Sequence, residues 1–312
     1  MEKKTNTFDN ERIQRIVALA EQKQKENQKQ WTPQEVFARL DEAIIGNVKY
    51  KQALAICIAD YVGENAIRNH LLVAGPSGTG KTYLLEQTLP DFNLPYRVID
   101  ASSLVPAGYK GTTFQESLED FFRSNALATR KAIVVLDEFD KISEKANGGD
   151  IHKSHSLQSE LLTLIQGKQE GAVDTRNSLW ILLGAFSYTD EMRSNPPKLG
   201  KTDLLKYGFK NELLGRIAKM TMTDIPTVED VVKRVTRDKV VNAFLTDLKS
   251  QGYEVDFSDE AFLDLAMAAQ NPSFGMRVIP SVIAELKQHT IFNVPKGTII
   301  ITRDLLKNFL HM

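Results

Sequence analysis

Eight consecutive residues have the types and the spacing that suit phosphate binding. They follow the pattern G-x-x-x-x-G-K-[ST] and are Gly75, Pro76, Ser77, Gly78, Thr79, Gly80, Lys81 and Thr82. Glycines let the backbone curl until its N–H groups point at phosphate oxygens, and a following helix adds the positive end of its dipole. Lys81 can reach the outer phosphates of a nucleotide, and the Thr82 hydroxyl can hold Mg²⁺. The motif therefore predicts a nucleoside triphosphate site, although a glycine-rich turn can match it by chance.

Two carboxylates further along the chain support the nucleotide interpretation. Asp137 and Glu138 follow the apolar run 133–136, which is typical of a strand buried on both faces. The carboxyl end of such a strand is the edge at which open α/β sheets bind ligands. We expect Asp137 to hold Mg²⁺ and Glu138 to polarise the water that attacks the γ-phosphate. The sequence thus predicts ATP as the cofactor, with Mg²⁺, and hydrolysis as the reaction.

The elements that position these residues are predicted by apolar patterning. Strands and helices alternate up to about residue 222, which indicates a doubly wound parallel α/β sheet. Helical patterns dominate after Pro226, with one short strand at Thr298–Ile301. We expect a polar N-terminal arm or helix over residues 1–30, a large α/β subdomain over 31–224 and a small, mostly helical subdomain over 225–312. The predicted strands are Leu71–Ala74, Tyr96–Asp100, Ile133–Leu136, Leu179–Leu183 and Ala218–Met222.

Composition narrows the class of protein. The 312 residues are 42% hydrophobic and 25% charged, as in ordinary globular domains, and the formal net charge of −1 gives no global case for nucleic-acid binding. The single cysteine, Cys57, excludes an internal disulfide and a cysteine-rich metal site. No stretch approaches the ~18 apolar residues that span a bilayer, and no signal-peptide core is evident. We therefore expect no membrane partner and a cytoplasmic location.

Further motifs, in order along residues 32–303, resemble those of AAA+ ATPases of the ClpX/HslU branch and are closest to ClpX. The segment 41–46 with Ile44 and Ile45 is similar to the adenine-cupping segment, and 137–142 is similar to the acidic strand end of that family. The segments 108–111, 184–186, 212–216 and 275–277 resemble the aromatic pore loop, sensor 1, the arginine-finger box and sensor 2. The resemblance implies an ATP-driven unfoldase or remodeller that works as a homo-hexameric ring on protein substrates.

The resemblance also implies roles for individual residues. Arg216 is expected to act in trans on the γ-phosphate of a neighbouring subunit, and Arg277 to contact phosphate in its own subunit. Tyr109 is expected to grip a polypeptide in the central pore, with Lys110 in place of the usual valine. The alternatives are surface arginines, a tyrosine packed on its own domain and a solvated lysine. The resemblance further implies a second pore loop over Ser143–Ser156, in which two histidines could make substrate grip pH-sensitive.

Departures from the family pattern concern docking. A four-cysteine zinc domain is replaced by 30 polar residues, and the stretch 187–206 lacks an Ile-Gly-Phe-type tripeptide. We therefore expect no ClpP-type peptidase partner. An amphipathic stripe of Ile13, Ile16, Val17 and Ala20 is a candidate surface for a different partner.

Two other functions stay open. A nucleic-acid motor or loader could use Tyr109 and Lys110 on single strands, although the balanced charge does not favour it. A nucleotide-gated scaffold without catalysis is the third alternative, which the intact set of candidate catalytic residues disfavours.

Overall fold

A computed structural model gives the fold. It describes Arg15 and residues 31–63, 67–124, 131–146, 148, 150–194, 197–237, 239–271 and 275–310. The predicted stripe at residues 13–20 lies outside the described residues, apart from Arg15. None of the described helices is long and apolar enough to cross a membrane.

A five-stranded parallel sheet forms the centre of the N-terminal part. Its strands lie in the order β2-β3-β6-β1-β7. A separate two-stranded hairpin is formed by β4 and β5. The strands are β1 (Leu71–Ala74), β2 (Tyr96–Asp100), β3 (Ala132–Asp137), β4 (Gln169–Glu170), β5 (Val173–Asp174), β6 (Ser178–Gly184) and β7 (Lys219–Met222). The helices around them are α1 (Pro33–Ala43), α2 (Val48–Val62), α3 (Lys81–Thr88), α4 (Phe114–Ser124), α5 (Ile151–Gln166), α6 (Asp190–Arg193), α7 (Lys201–Lys206) and α8 (Asn211–Arg216).

The predicted fold class is confirmed, and the five predicted strands of the sheet are all present. β1 and β6 are buried along their whole length, and β3 is buried up to Leu136. Alternate side chains of these strands enter two apolar clusters, one on each face of the sheet. Continuous apolar sequence is what a strand covered on both faces requires. The parallel arrangement therefore brings the carboxyl ends of β1, β3 and β6 to one edge.

Capping explains where α1 begins. The Thr32 hydroxyl accepts a hydrogen bond from the Glu35 N–H at 3.2 Å, and the Glu35 carboxylate accepts one from the Thr32 N–H at 2.9 Å. Pro33 occupies the first turn, where its missing N–H is not needed. Thr32 and Glu35 thus form a capping box, and such caps contribute roughly 1 kcal/mol.

The C-terminal region, defined here as residues 228–310, is mostly helical. Its helices are α9 (Val228–Arg237), α10 (Lys239–Ser250), α11 (Asp259–Gln270), α12 (Val278–Asn293) and α13 (Arg303–Leu310), and its strands are β8 (Tyr253–Phe257) and β9 (Gly297–Ile301). These elements share one apolar cluster of their own. Ser258 caps α11 by accepting the Ala261 N–H at 3.3 Å. The parallel pairing of β9 with β8 was not predicted.

A connection without regular structure, residues 223–227, joins β7 to α9. The Thr223 N–H donates to the Ala74 carbonyl at 2.8 Å, which holds the start of the connection on the sheet. The Gln270 side chain donates to the Pro226 carbonyl at 2.8 Å, which holds its far end on α11. The division of the chain into subdomains at residue 224 stays a prediction.

Candidate nucleotide site

The phosphate-binding motif lies between β1 and α3, as the sequence predicts. Gly80 precedes α3 with φ of +90°, a backbone conformation that favours glycine. The Gly75 N–H donates to the Gly184 carbonyl at 3.1 Å, and the Thr79 hydroxyl donates to the Pro76 carbonyl at 2.9 Å. The loop is therefore fixed both to the neighbouring strand and across itself, at the positive end of α3.

Lys81 lies under the loop. Its ammonium group donates to the carbonyls of Gly75 at 2.6 Å and Pro76 at 2.9 Å, and the residue is 8% exposed. Burial lowers the pKa of Lys81 to about 8, and the positive charge of Arg277 acts in the same direction, while Asp137 and Asp140 act against it. Burial makes the charged form of Lys81 less favourable than it is in water. A bound phosphate would stabilise the charged ammonium group, and Lys81 lies where phosphate is expected.

Thr82 and Asp137 form an oxygen pair that suits Mg²⁺. The Thr82 hydroxyl donates to Asp137 Oδ2 at 2.6 Å, while Asp137 Oδ1 accepts the Glu138 N–H at 2.8 Å. Mg²⁺ prefers oxygen ligands and usually keeps waters and phosphate oxygens beside one or two protein groups. Among the described residues no group of three or more His, Cys, Asp or Glu side chains is placed to hold a metal. The donor set therefore fits Mg²⁺ bound together with a nucleotide.

Glu138 follows Asp137 and has an unusual backbone. Its φ is +52°, which is uncommon for a residue with a side chain, and it is exposed to solvent. Such strained positions cluster at functional sites. The carboxylate is close enough to raise the pKa of Lys81. This arrangement leaves Asp137 facing Thr82 and makes Glu138 available to a water molecule at the same edge of the sheet.

Asp140 is a buried residue of the site that sequence reasoning missed. It lies in the turn Phe139–Ile142, and its Oδ1 accepts the Ala185 N–H at 3.0 Å. Its Oδ2 has no hydrogen-bond partner among the described residues, although Lys141 Nζ lies 3.9 Å away. Asp140 thus connects the end of β3 to the end of β6. The pattern Asp-Glu-Phe-Asp gave a signal for it only through the family resemblance.

The segment Ile44–Asn47 lies beside the phosphate loop. Ile44 packs so closely that a Cβ at Gly80 would lie 2.3 Å from its Cδ1. The Lys51 ammonium group donates to the Ile44 carbonyl at 2.9 Å and also pairs with Asp41. The structure therefore places Ile44, one of the two residues predicted to contact the base, against the loop. It adds Asn47 and Lys51, which sequence reasoning missed because neither fits a chemical motif.

The predicted arginines occupy different places. Arg277 ends the turn Gly275–Arg277 before α12 and is close enough to act on Lys81. Arg216 is the last residue of α8 and is exposed, and it makes no ion pair with another described residue. Only Arg277 is therefore brought to the nucleotide site within one chain. An exposed arginine at a helix end is free to contact another subunit.

The segment with Tyr109 and Lys110 is an exposed turn between β2 and α4. Val105 N–H donates to the Thr112 carbonyl at 2.9 Å, which closes the base of the loop. Tyr109 is 57% exposed, so much of its surface is accessible to a binding partner. The predicted second loop is shorter than expected: helix α5 begins at Ile151, capped by Asp150, so His152 and His155 lie on the helix. His155 contacts Glu144 at 2.6 Å.

Cys57 is buried in α2. Its thiol donates to the Asn69 carbonyl at 2.8 Å, and burial raises the pKa of the thiol to about 12. Such a thiol is unreactive, so Cys57 has no place in the candidate chemistry.

Comparison with known proteins agrees with this site. Residues 71–203 match the family described as ATPase family associated with various cellular activities (AAA). The chain is 28% identical to ClpX 2, the ATP-binding subunit of an ATP-dependent Clp protease from Wolinella succinogenes, over 84% of this chain and 78% of that protein. It is 26% identical to the corresponding ClpX of Treponema denticola, over 89% of this chain and 81% of that protein, and 24% identical to that of Borrelia duttonii, over 89% and 79%. The chain therefore contains an AAA ATPase domain, which implies ATP hydrolysis, and it is a distant homologue of ClpX.

Proposed function

We propose that this chain is an ATP-hydrolysing motor that unfolds, translocates or remodels protein substrates through the pore of a ring. The observation that carries the proposal is the joint geometry of Lys81, Thr82, Asp137 and Glu138 at one edge of the sheet. The same chain also presents an exposed aromatic residue, Tyr109, on a separate turn. The similarity to ClpX over most of both chains supports the same function.

The residues take the following roles in hydrolysis. Backbone N–H groups of the phosphate loop and Lys81 would bind the β- and γ-phosphates, and Thr82 and Asp137 would hold Mg²⁺, whose positive charge would offset that of the phosphate oxygens. Glu138 orients the attacking water and accepts its proton. Arg277, which belongs to the C-terminal region, contacts a phosphate group of the same nucleotide.

Ring assembly completes the site in this proposal. Arg216 of one subunit contacts the γ-phosphate bound by its neighbour and stabilises the transition state, so hydrolysis requires a homo-oligomer, by family resemblance a hexamer. Tyr109 and Lys110 contact the substrate in the pore. We further propose that the motor acts without a ClpP-type peptidase and binds a different partner through residues 1–30.

The test measures ATP hydrolysis in the presence of an unfolded protein substrate or of single-stranded DNA. We expect the unfolded protein to stimulate hydrolysis, Tyr109→Ala to remove the stimulation, and Glu138→Gln to bind ATP without hydrolysing it. Phe292→Ala, which removes another exposed aromatic ring, is the matched control. Stimulation by single-stranded DNA but not by protein would refute the proposal and favour a nucleic-acid motor.

A further inference from the structure

The segment Ile44–Asn47 contacts three parts of the molecule at once. Ile44 packs against Gly80 of the phosphate loop. Asn47 contacts both that loop and the connection to the C-terminal region. Arg234, on helix α9 of the C-terminal region, donates to the carbonyl of Ile45. This short segment therefore contacts the phosphate loop, the connection over residues 223–227 and helix α9 of the C-terminal region.

Asn47 uses its whole side-chain amide for these contacts. Its Nδ2 donates to the Thr79 carbonyl at 2.8 Å, and its Oδ1 accepts the Asp224 N–H at 3.0 Å. The residue is 0% exposed, has a φ of +55° and makes no side-chain cap to its own helix α2, although it stands at the N-cap position. An asparagine amide can donate a hydrogen bond from its nitrogen and accept one at its oxygen, and these two atoms are separated in space. Asn47 thus links the phosphate loop directly to the interdomain connection.

Arg234 makes the second link. Its Nε and Nη2 donate to the Ile45 carbonyl at 2.9 and 2.6 Å. The residue is 7% exposed, and its Nη1 has no hydrogen-bond partner among the described residues. Burial lowers the pKa of Arg234, while Asp230 and Asp224 act in the opposite direction. Hydrogen bonds to a single carbonyl do not fully offset the free-energy cost of burying the guanidinium group. A small movement of Ile45 therefore changes the energy of the buried Arg234 side chain substantially.

The connection that Asn47 contacts is anchored on both sides. Thr223 is fixed to the sheet through Ala74, and Pro226 is fixed to α11 through Gln270. Asp224 lies between these anchors, just beyond the sheet. A shift in its backbone therefore changes the direction in which the chain enters α9.

We propose that Ile44–Asn47 is a relay through which nucleotide on the phosphate loop sets the position of the C-terminal region, with Asn47 and Arg234 as its positioning residues. Phosphate binding reorients the loop backbone and its Thr79 carbonyl. Asn47 transmits that change to Asp224, and Ile45 transmits it to Arg234. The relay rests on the proposed function only in requiring that the phosphate loop binds nucleotide. Coupling of this kind requires the contacts of both residues to differ between the nucleotide-free and the nucleotide-bound chain.

The experiment measures the distance between the two parts of the chain. Fluorophores are attached at Glu86→Cys on α3 and Glu285→Cys on α12, both exposed positions, while Cys57 is buried and does not compete for the label. Energy transfer and nucleotide affinity are recorded in the full chain, with and without ATP, in the Glu138→Gln background. The test variants are Asn47→Asp, which keeps the shape and loses the donor, and Arg234→Met.

Matched controls exist for both variants. Asn93→Asp changes another asparagine in the left-handed region, with φ of +53°, but an exposed one. Arg237→Met removes an exposed arginine from the same helix as Arg234. We expect ATP to change energy transfer in the unmodified chain and in both controls. Asn47→Asp and Arg234→Met should lose most of that change while ATP affinity falls by no more than about tenfold, the worth of one hydrogen bond.

Each outcome decides the matter. Arg234→Lys should keep part of the response, because an ammonium group can still donate to the Ile45 carbonyl. A full response in both test variants, or no ATP-dependent change in an unmodified chain that binds ATP, would overturn the relay. If Asn47→Asp does not fold, Arg234→Met still decides, since the side-chain hydrogen bonds of Arg234 to described residues go to Ile45 and not to the phosphate loop. Failure of the unmodified chain to bind ATP would instead refute the proposed function, and the relay with it.

Discussion

The C-terminal region approaches the phosphate loop very closely at Gly275, and this contact yields a sharp prediction for Gly275→Ala. A Cβ at this position would lie 2.7 Å from the Cα of Gly78 and 3.0 Å from the carbonyl oxygen of Ser77. Both are backbone atoms, so neither can rotate away. Gly275 also has φ of +59°, a conformation in which any side chain is strained. The substitution must therefore separate the two regions or distort the loop.

A matched control separates the two costs. Gly171, in the β4–β5 hairpin, has φ of +57°, and a Cβ added there would meet no described atom within 4 Å. Gly171→Ala therefore carries only the backbone strain, about 1–2 kcal/mol. Gly275→Ala carries the same strain plus an overpacking cost of roughly 1–3 kcal/mol. If nucleotide binds in the cleft between Gly78 and Gly275, the additional cost weakens binding by about 5- to 150-fold.

The assay is equilibrium binding of a fluorescent ATP analogue, with thermal unfolding as the stability measurement. In the nucleotide-free chain, Gly275→Ala can relieve the overpacking by moving away from the loop, so we expect both variants to lose similar stability. Bound nucleotide requires the close contact again, so only Gly275→Ala should lose affinity, by about the factor calculated above. Equal affinities in the two variants would refute the reasoning, because the nucleotide would then not depend on contact between Gly275 and the loop. A stability loss restricted to Gly275→Ala would show that the contact supports folding instead.

Three further predictions use other parts of the site. Because burial lowers the pKa of Lys81 to about 8 and phosphate raises it again, ATP binding at pH 8 should take up about half a proton. Calorimetry in buffers of different ionisation enthalpy measures this uptake, and Lys81→Arg should abolish it; equal uptake in that variant would assign the proton to another group. Burial and the charge of Arg68 lower the pKa of His70 to about 4, and its Nδ1 accepts the Trp180 N–H. In the unfolded chain His70 has its ordinary pKa of about 6.5, so between pH 6.5 and pH 4 the unfolded chain binds a proton that the folded chain does not. The free energy of unfolding should therefore fall by ~3 kcal/mol as the pH drops from 6.5 to 4. Acid denaturation of His70→Asn should show a shallower loss, and an unchanged profile would contradict the assignment. Finally, mixing Arg216→Ala subunits with Glu138→Gln subunits, each inactive alone, should restore ATP hydrolysis; a mixture without activity would refute the action of Arg216 in trans.

The fold was predictable where local sequence and tertiary environment agree. The buried strands β1, β3 and β6 are continuous apolar runs, so their type and place follow from the sequence. Strand β8 was missed because its alternating sequence, YEVDF, is short and depends on pairing with β9, some forty residues later in the chain. Helix α5 begins earlier than expected because Asp150 caps it by accepting the Lys153 N–H at 2.9 Å.

The site was predictable only in its local parts. The phosphate loop is one continuous motif, whereas Asn47, Asp140 and Arg234 act through partners far away in the sequence. The Asn47 contacts join residues 32 and 177 positions apart, and Arg234 meets Ile45 across 189 positions. No periodicity or spacing encodes such contacts, because they depend on how the C-terminal region lies against the sheet. The same arrangement lets Asn47 and Arg234 link the phosphate-loop side of the molecule to the C-terminal region.

The charge on Lys81 connects hydrolysis to the position of the C-terminal region. Arg277 lowers the pKa of Lys81, so the C-terminal region acts electrostatically on the residue that binds phosphate. A phosphate placed between Lys81 and Arg277 would relieve the repulsion between their charges. This stabilisation of the close arrangement would be lost once the γ-phosphate leaves. Nucleotide therefore favours the close arrangement at Gly275 more strongly before hydrolysis than after it. On this reasoning the free energy that moves the C-terminal region comes from the loss of the γ-phosphate charge beside Lys81 and Arg277. Asn47 and Arg234 then determine the direction of the movement.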